Sequence, residues 1–337
     1  MYSGVTWRTQ SATAGGGEIH GGGEPWWSED LKLPAHPPNG IHLVNCNGLD
    51  INNVYLRNFP RFAIRPQFSR KVRIHNVDIW NPPQSVGTNG IVIDSCRDVV
   101  ISDSLITTGD KEDAIALKSG KDEFGRSVGK ATEDVLVTRC EVKGGHAVSV
   151  GSETSGGIRN VKFSGILFDG RGNPNGAGSI RVKTGRGRGG VVDGVIFENI
   201  KGYNVVSAVE LYMWFNCGVL DGNAECAHEM SQVETPTVRN VVVRNVEMHG
   251  VTSNVGIIEG LPESPFQAVT LENIKVDGQE KGWTCQHFHP GCTWPAGGCA
   301  IGTASKVVPS LPDSCLQPYD NQKWSGEEVG RKLLMDD

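Results

Sequence analysis

The stretch KVRIHNVDIWN at residues 71–81 repeats the pattern of GLDINNVYLRN at residues 48–58, and these two stretches decide the fold class. In each, apolar and polar residues alternate on both sides of a polar kink that contains Asn. Alternation with a period of two residues indicates β-strands rather than helices. The positions Ile51 and Ile74 are equivalent and lie 23 residues apart. A unit of two short strands with this length is typical of a coiling β-solenoid.

The same unit recurs through most of the chain. One coil cannot bury its apolar face alone, so stacked coils share a core. The main alternative, an antiparallel sandwich, predicts hairpin turns about every 8–12 residues, whereas these units recur as whole coils with matching kinks. A leucine-rich repeat lacks support because its Leu spacing is missing. We therefore predict an all-β fold, a right-handed parallel β-helix that forms a single domain over residues 1–337. Its eight anchor positions are Ile51, Ile74, Ile101, Val137, Phe163, Phe197, Val243 and Leu271.

Composition narrows the classes of partner. The 38 acidic and 32 basic residues give a net charge of −6, which argues against a nucleic-acid partner. Since no run of about 18 apolar residues occurs, we expect no membrane span. The 44 glycines follow no collagen period and indicate many tight turns. We expect a monomer.

Seven of the nine cysteines fall into two groups. Cys285, Cys292, Cys299 and Cys315 crowd into a tail rich in Gly, Pro and Trp. Because there is no CxxC pair, a zinc site is not expected, and we predict no metal and no cofactor. Disulfides in the tail fit better and favour an oxidising compartment. The tail, residues 279–337, is predicted to pack on the end of the helix. The remaining group, which lies in apolar runs, fits reduced buried thiols: Cys46, Cys96 and Cys140.

Polar patches stand on consecutive predicted coils. Equivalent positions on stacked coils lie about 4.8 Å apart, so side chains from four patches can line one groove. Insertions of a solenoid often lie on its binding side, and three are close in sequence, at residues 120–134, 171–179 and 216–236. The four patches are GTNGIVIDSC (87–96), TGDKEDAIALKSG (108–120), GGHAVSVGSETSGG (144–157) and IRVKTGRGRGG (180–190).

The second patch supplies carboxyl groups. Asp110, Glu112 and Asp113 place three carboxyls within four residues. Glycoside hydrolysis needs two carboxyls that flank the scissile bond, and crowded carboxylates raise one another's pKa, which suits a general acid. Acidic clusters are, however, more often solvated turns.

The later patches supply cations and an imidazole. Arg181 and Lys183 alternate on a strand, so both face the same side, where they can bind the carboxylate of an acidic sugar. His146 can hydrogen-bond the acid or the sugar. Each also has an ordinary structural explanation, because a lone His is more often structural and the two cations can form a charged surface. Their arrangement on successive coils favours a site.

Together these motifs resemble glycoside hydrolase family 28, the polygalacturonases and their relatives, over roughly residues 15–315. That family carries N-T-D-G, G-D-D-x-x-A-x-K-S-G, G-H-G before G-S, and R-x-K. This chain has G-T-N-G at 87–90, G-D-K-E-D-A-I-A-L-K-S-G at 109–120, G-H-A at 145–147 and R-V-K at 181–183. The phrases GSETSGG and GLPESP also look like the family.

The resemblance implies a secreted, inverting hydrolase of α-1,4-galacturonan or a related pectin backbone. It assigns Asp110 as general acid and Asp113 as base, with His146 supporting the site. Arg181 and Lys183 would bind the sugar carboxylate. Asn89 would contact substrate and orient the attacking water. The partner implied is acidic polysaccharide such as pectin or polygalacturonate.

Two departures from the family pattern bear on activity. Asn89 stands where the family has the Asp of N-T-D, and Gly87 where it has the first Asn. Lys111 and Glu112 interrupt the G-D-D pair. Either the turn bulges and both Asp side chains point inward, or Glu112 replaces one of them. We therefore expect that activity is reduced.

The two chain ends add expectations. Residues 1–17 lack a signal peptide, and GGGEIHGGGEPWW (15–27) resembles a phrase well inside the family, so we expect that the N-terminal coils and a signal are missing from this chain. The likeness of WTC and DSC to family phrases implies a Cys285–Cys315 bridge.

Three alternatives remain open. The chain can be an inactive β-helix that binds acidic polysaccharide, a rhamnogalacturonan hydrolase, or a polysaccharide lyase. A lyase of this fold uses Ca²⁺ and an Arg or Lys base, and the sequence has no clear calcium-ligand stack.

Overall fold

The computed structural model describes residues 16–27, 37–173, 175–215, 233–278, 281–290, 305–312 and 315. In this part of the chain the strands form two sheets of parallel strands, of nine and fourteen strands, which we name the groove sheet and the long sheet. Each coil contributes to both, and the apolar side chains between them form one continuous core. The predicted right-handed parallel β-helix is confirmed.

The strands are numbered in chain order. The groove sheet contains β2 (Ile41–Val44), β4 (Ile64–Gln67), β6 (Ile91–Asp94), β9 (Asp113–Lys118), β12 (Ala147–Val150), β15 (Ile180–Lys183), β17 (Val209–Tyr212), β19 (Asn254–Glu259) and β21 (Lys281–Gln286). The long sheet contains β1 (Gly17–His20), β3 (Asn47–Arg57), β5 (Arg70–Trp80), β7 (Arg97–Ser102), β8 (Leu105–Thr107), β10 (Thr132–Thr138), β11 (Glu141–Val142), β13 (Ile158–Ser164), β14 (Leu167–Asp169), β16 (Val191–Tyr203), β18 (Thr237–His249), β20 (Phe266–Val276), β22 (Phe288–Pro290) and β23 (Ser305–Val308). A 3-10 turn spans Glu24–Trp26, and helix α1 spans Asp122–Val128.

The eight predicted anchor positions stack in register. Ile51 pairs with Ile74, and the pairing continues through all the anchors to Leu271. In the middle of the stack the rings of Phe163 and Phe197 are parallel, with centroids 4.8 Å apart. Stacked aromatic rings bury a large apolar area and add a favourable ring–ring contact. The repeat seen in the sequence is therefore the physical repeat of the core.

The kink between the paired strand segments has a left-handed backbone. The φ angles of Asn53, Asn76, Asn199, Asn245 and Asn273 lie between 51° and 56°. Among residues with a side chain, Asn tolerates this conformation well, which explains its recurrence in the sequence. The stacked amides also bond to each other, since Asn273 donates to Asn245 at 2.9 Å and Asn245 to Asn199 at 3.2 Å.

Two of the insertions contact other coils through side chains. Helix α1 lies in the first insertion and ends at Val128, and the next residue, Gly129, has a φ of 60°. From this helix Arg126 donates to the main-chain oxygen of Gly187 and reaches Glu234 at 3.5 Å. The second insertion carries Asn175, which contacts the candidate site. Residues 216–232 of the third lie outside the described residues.

The tail begins as a further coil. Strand β21 pairs with β19, and Trp283 is buried there, with its Nε1 donating to the oxygen of Pro309 at 3.1 Å. Cys285 and Cys315 form a disulfide with their Cα atoms 5.1 Å apart, so the predicted bridge is confirmed. Cys292 and Cys299 lie outside the described residues. Cys217 and Cys226 lie outside them as well. Three further cysteines are free thiols, as predicted: Cys46, Cys96 and Cys140. No helix in the described ranges is long and apolar enough to cross a bilayer.

Candidate active site

The outward side of the groove sheet stacks polar residues in rows along the helix axis. In one row, Gln67 pairs with Asp94, and Asp94 with Lys118. In a second row, Arg181 pairs with Glu210. Neighbouring strands lie about 4.8 Å apart, so side chains that follow one another in a row are within contact distance. The predicted patches therefore converge on one face.

A β-bulge in β9 directs the Asp113 side chain toward this face. Ala147 of β12 pairs with Asp113, but Val148 pairs with Ile115, so β9 holds one extra residue. Ala114 and Ile115 both lie in the core. Because a bulge shifts the in–out alternation by one residue, Asp113 is turned outward.

Asp113 forms a buried ion pair with Lys183. The Lys183 Nζ donates to Asp113 Oδ2 at 2.7 Å, and the two side chains are 11% and 3% exposed, respectively. Burial alone raises the pKa of Asp113, but the positive charges of Lys183 and Arg181 outweigh it and hold the pKa below its usual value. Asp113 is therefore ionised at neutral pH, as a general base must be.

Glu112 has the opposite character. Its Oε1 accepts a hydrogen bond from the Gly87 amide at 2.7 Å, and its main-chain oxygen accepts one from the His146 amide at 2.6 Å. Burial is the main cause that raises the pKa of Glu112, and the negative charge of Asp113 raises it further. A carboxyl with a raised pKa beside an ionised one is the arrangement that separates an acid from a base.

Asp110 is held by a different part of the chain. Its Oδ2 accepts a hydrogen bond from the Asn175 side chain, and its main-chain amide donates to the Pro83 oxygen at 2.9 Å. Its Oδ1 is buried and has no hydrogen-bond partner among the described residues. The structure thus brings Asp113 and Glu112 into one electrostatic cluster and joins Asp110 to the second insertion. The assignment of Asp110 as the acid stays a prediction.

His146, Arg181 and Glu210 form a triad beside this cluster. The Arg181 Nε donates to Glu210 Oε2 at 2.7 Å, and its Nη2 contacts His146 Nε2. Burial raises the pKa of Glu210, yet the bonds and charges of His146 and Arg181 bring it down to about 2. Glu210 therefore stays ionised and fixes the orientation of Arg181.

Glu210 was not anticipated from the sequence. It stands in the apolar strand phrase AVELYM, 29 residues after Arg181. An acidic residue at an outward position one coil beyond an Arg is a signal for such a pair, but the length of each coil must be known before the positions can be aligned.

Two more partly buried pairs lie on the same face. Lys118 of the A-L-K-S-G motif pairs with Glu153, and Arg65 donates to Asp94 at 2.8 Å. Burial raises the pKa of Glu153, but Lys118 overrides this effect and the pKa falls to about 2. These pairs extend the charged surface over both sides of Asp113.

Asn89 lies where the sequence places it, one coil before Asp113. It is 5% exposed, and its main-chain oxygen accepts a hydrogen bond from the Ala63 amide at 3.0 Å. The next amide, Gly90, donates to the Asp113 oxygen at 3.1 Å. Asn89 is therefore at the entry of β6 on the same side of the coil as Asp113.

The fourth patch also holds the rim of the groove together. Arg186 forms a bidentate pair with Glu263, at 2.5 and 2.8 Å, and its guanidinium covers the Trp214 ring. Arg188 pairs with Asp122 at the start of α1. Bidentate Arg–carboxylate pairs have fixed geometry, so these contacts lock the turn that follows β15.

Comparison with known proteins identifies the family of this chain. The family model described as glycosyl hydrolases family 28 matches residues 5–296. The chain belongs to glycosyl hydrolase family 28. The predicted family is thus confirmed, and the groove is the part of this family member where the motifs converge.

Curated relatives of this family 28 member include a probable polygalacturonase of Vitis vinifera, 31% identical over 311 residues. That match covers 89% of this chain and 58% of the relative. Polygalacturonase-2 of Solanum lycopersicum is 26% identical, and 82% of this chain covers 57% of it. The chain therefore spans a little more than half the length of these relatives.

Solved structures confirm the fold. A polygalacturonase from Erwinia carotovora superposes with a TM-score of 0.62 at 22% identity, over 75% of this chain and 59% of the other. An exopolygalacturonase from Thermotoga maritima gives a TM-score of 0.58 at 24% identity, over 72% of this chain and 55% of the other. At these identities the likeness concerns the β-helix itself.

Proposed function

We propose that this chain is a secreted glycoside hydrolase that cleaves α-1,4-galacturonosyl linkages of pectin, with inversion. The observation that carries the proposal is the pair of adjacent carboxyls with opposite pKa shifts, Asp113 lowered and Glu112 raised, in a groove rich in cations. The relatives, which are named polygalacturonases, support this reaction.

In the proposed reaction Asp113 takes a proton from water as the water attacks the anomeric carbon. A second carboxyl protonates the leaving oxygen, and an inverting enzyme keeps the two carboxyls far enough apart to admit the water. Family spacing assigns the acid to Asp110, but the surroundings of Glu112 support Glu112 in this role. Its burial favours the protonated form that an acid needs, and its hydrogen bond to Gly87 holds the carboxyl in place.

Arg181 and Lys183 are proposed to face the carboxylate of the bound sugar. Each is already paired with a carboxylate of the chain, Glu210 or Asp113. Their positive charges then reduce the negative potential in the groove. Their N–H groups can also donate hydrogen bonds to a sugar carboxylate while they remain paired. His146 contacts the Arg181 guanidinium and helps to fix its position. Because these side chains hold one another in place, the donors are already oriented when the substrate binds.

A binding protein without hydrolysis is the second candidate, and the observation that favours it is Asn89, which removes one carboxylate from the site. The release of reducing ends from polygalacturonate decides between the two. We expect reducing ends without any rise in absorbance at 235 nm, since hydrolysis creates no double bond. A rise at 235 nm indicates a lyase, release from rhamnogalacturonan alone indicates the related hydrolase, and binding without release supports the second candidate.

A further inference from the structure

Most charged side chains of the groove form ion pairs with one another. Each pair joins a cation to a carboxylate from another coil, which leaves few charges to recognise a ligand. One further arginine, Arg61, lies at the amino-side end of the same face. Among the described residues, four such pairs are Lys183–Asp113, Arg181–Glu210, Lys118–Glu153 and Arg65–Asp94.

Arg61 occupies the same place on its coil as the catalytic candidates do on theirs. It lies just before β4, and two residues later the Ala63 amide donates to the oxygen of Asn89 at 3.0 Å. The negative charges of Glu112 and Glu153, both of which belong to the groove, act to raise the pKa of its guanidinium. Arg61 therefore faces the groove, two strands before β9.

Glu112 and Glu153 act on Arg61 only from a distance. Arg61 is half-buried and lies over the Phe62 ring at 4.7 Å, with Arg65 at 5.7 Å from the same ring. Within the ranges that the structure describes, it makes no hydrogen bond and no ion pair. Burial and the neighbouring Arg65 lower the pKa of the guanidinium, which marks the cation as poorly compensated. An aromatic face holds a guanidinium without using its N–H donors.

We propose that Arg61 is a binding site for the carboxylate of a uronic-acid unit at the amino-side end of the groove. A carboxylate matches the planar donor edge of Arg and compensates a cation that the chain leaves unmatched. The inference rests on the proposed function. Two strand spacings separate β4 from β9, so the site lies about 10 Å from Asp113 along the axis. It therefore engages an oligomer through a unit beyond those at the scissile bond.

The test compares oligogalacturonate hexamer with its fully methyl-esterified form, which keeps the shape and lacks the charges. We measure kcat/KM for both with the parent chain, Arg61→Gln and Arg73→Gln. Arg73 is exposed on the long sheet of the next coil and serves as the matched control. Arg61→Gln should lower the preference for the free acid about tenfold, as expected for one charge-assisted contact. Arg73→Gln should leave this preference unchanged.

The inference is overturned if Arg61→Gln keeps the preference of the parent or loses the same factor on both substrates, since a merely structural role gives equal losses. A parent chain that releases no product refutes hydrolysis but not Arg61. In that case calorimetric titration of the parent and Arg61→Gln with the hexamer decides. Tenfold weaker binding supports the site, and equal binding excludes it.

Discussion

Both the groove sheet and the long sheet form ion pairs between residues of successive coils, but the pairs differ in how much solvent reaches them. On the groove sheet the pair Lys183–Asp113 is almost fully buried. On the long sheet Arg244 pairs with Glu198 at 2.5 Å, but its side chain is 41% exposed. Buried pairs strongly perturb pKa values and carry a large penalty if one partner is lost, whereas exposed pairs contribute little.

The comparison also explains why shape alone does not locate the chemistry. The long sheet has two surface cavities of about 680 and 630 Å³, one lined by residues such as Arg73 and Lys162 and the other by residues such as Lys201 and Glu247. Neither cavity is lined by Glu112 or Asp113. We place the site on the groove sheet because a reaction needs desolvated, oriented charges more than it needs volume.

The largest expected effect is at the buried pair. Lys183→Met leaves Asp113 buried without its partner and should lower the free energy of unfolding by about 3–5 kcal/mol. The double variant Lys183→Met/Asp113→Asn should recover part of this loss, since it also removes the charge. Urea unfolding at pH 7 measures both. A loss below about 1 kcal/mol for the single variant would mean that the pair behaves like a surface pair.

Acid should weaken the groove next. The pKa of Glu210 is about 2 in the folded chain, below the usual value near 4.5. The stability it contributes is therefore complete above about pH 4.5 and is lost as the pH falls toward 2. Glu210→Gln should lower the free energy of unfolding on the order of 2 kcal/mol at pH 6, and this difference should shrink at pH 3. A difference that stays constant between the two pH values would contradict the assignment.

The asparagine ladder of the long sheet should give a smaller effect. Asn245 has a φ of 54°, so Asn245→Ala forces an alanine into the left-handed region and should lower the free energy of unfolding by about 1–2 kcal/mol. Asn245→Gly accepts that backbone and serves as the control. Thermal unfolding of both variants checks the prediction, which fails if the glycine variant is the less stable one.

The exposed pair of the long sheet should give the smallest effect. Arg244→Ala removes one partner of Glu198, but Lys162 remains at 3.2 Å from the same carboxylate. The expected loss is at most about 0.5 kcal/mol and should disappear at high salt. Urea unfolding at low and high ionic strength measures it, and a loss as large as that of Lys183→Met would remove the contrast between the sheets.

The coil could be predicted from the sequence because it depends on the alternation of apolar and polar residues and on the kinks, and both are features of short stretches of sequence. The eight anchors align in the structure as predicted, since the core tolerates no change of phase between coils. The strand that follows Asp113 fixes its position in the repeat, and in the structure Asp113 accepts a hydrogen bond from Lys183. Asn recurs at the kinks in the sequence because it tolerates the left-handed backbone conformation that each kink requires.

Partners between coils could not be predicted. Lys183 meets Asp113 across 70 residues, and Asn175 meets Asp110 across 65. Insertions of different lengths separate these residues, so their distance in sequence carries no information about contact. The bulge at the start of β9 is likewise set by the pairing with β12. The choice between Asp110, which the family resemblance assigns as the acid, and Glu112 depends on both features.

The account centres on the claim that Glu112 and Asp113 form the acid–base pair of the groove. The most direct measurement compares Glu112→Gln with Asp110→Asn, two substitutions that remove a carboxyl and keep its shape, by kcat and its pH profile on polygalacturonate. We expect Glu112→Gln to lower kcat about 10²–10⁴-fold and to abolish the alkaline limb of the profile, because that limb reports the acid. Asp110→Asn should have a much smaller effect and keep the limb. If Asp110→Asn removes the limb and Glu112→Gln keeps it, the acid is Asp110 and the account is contradicted.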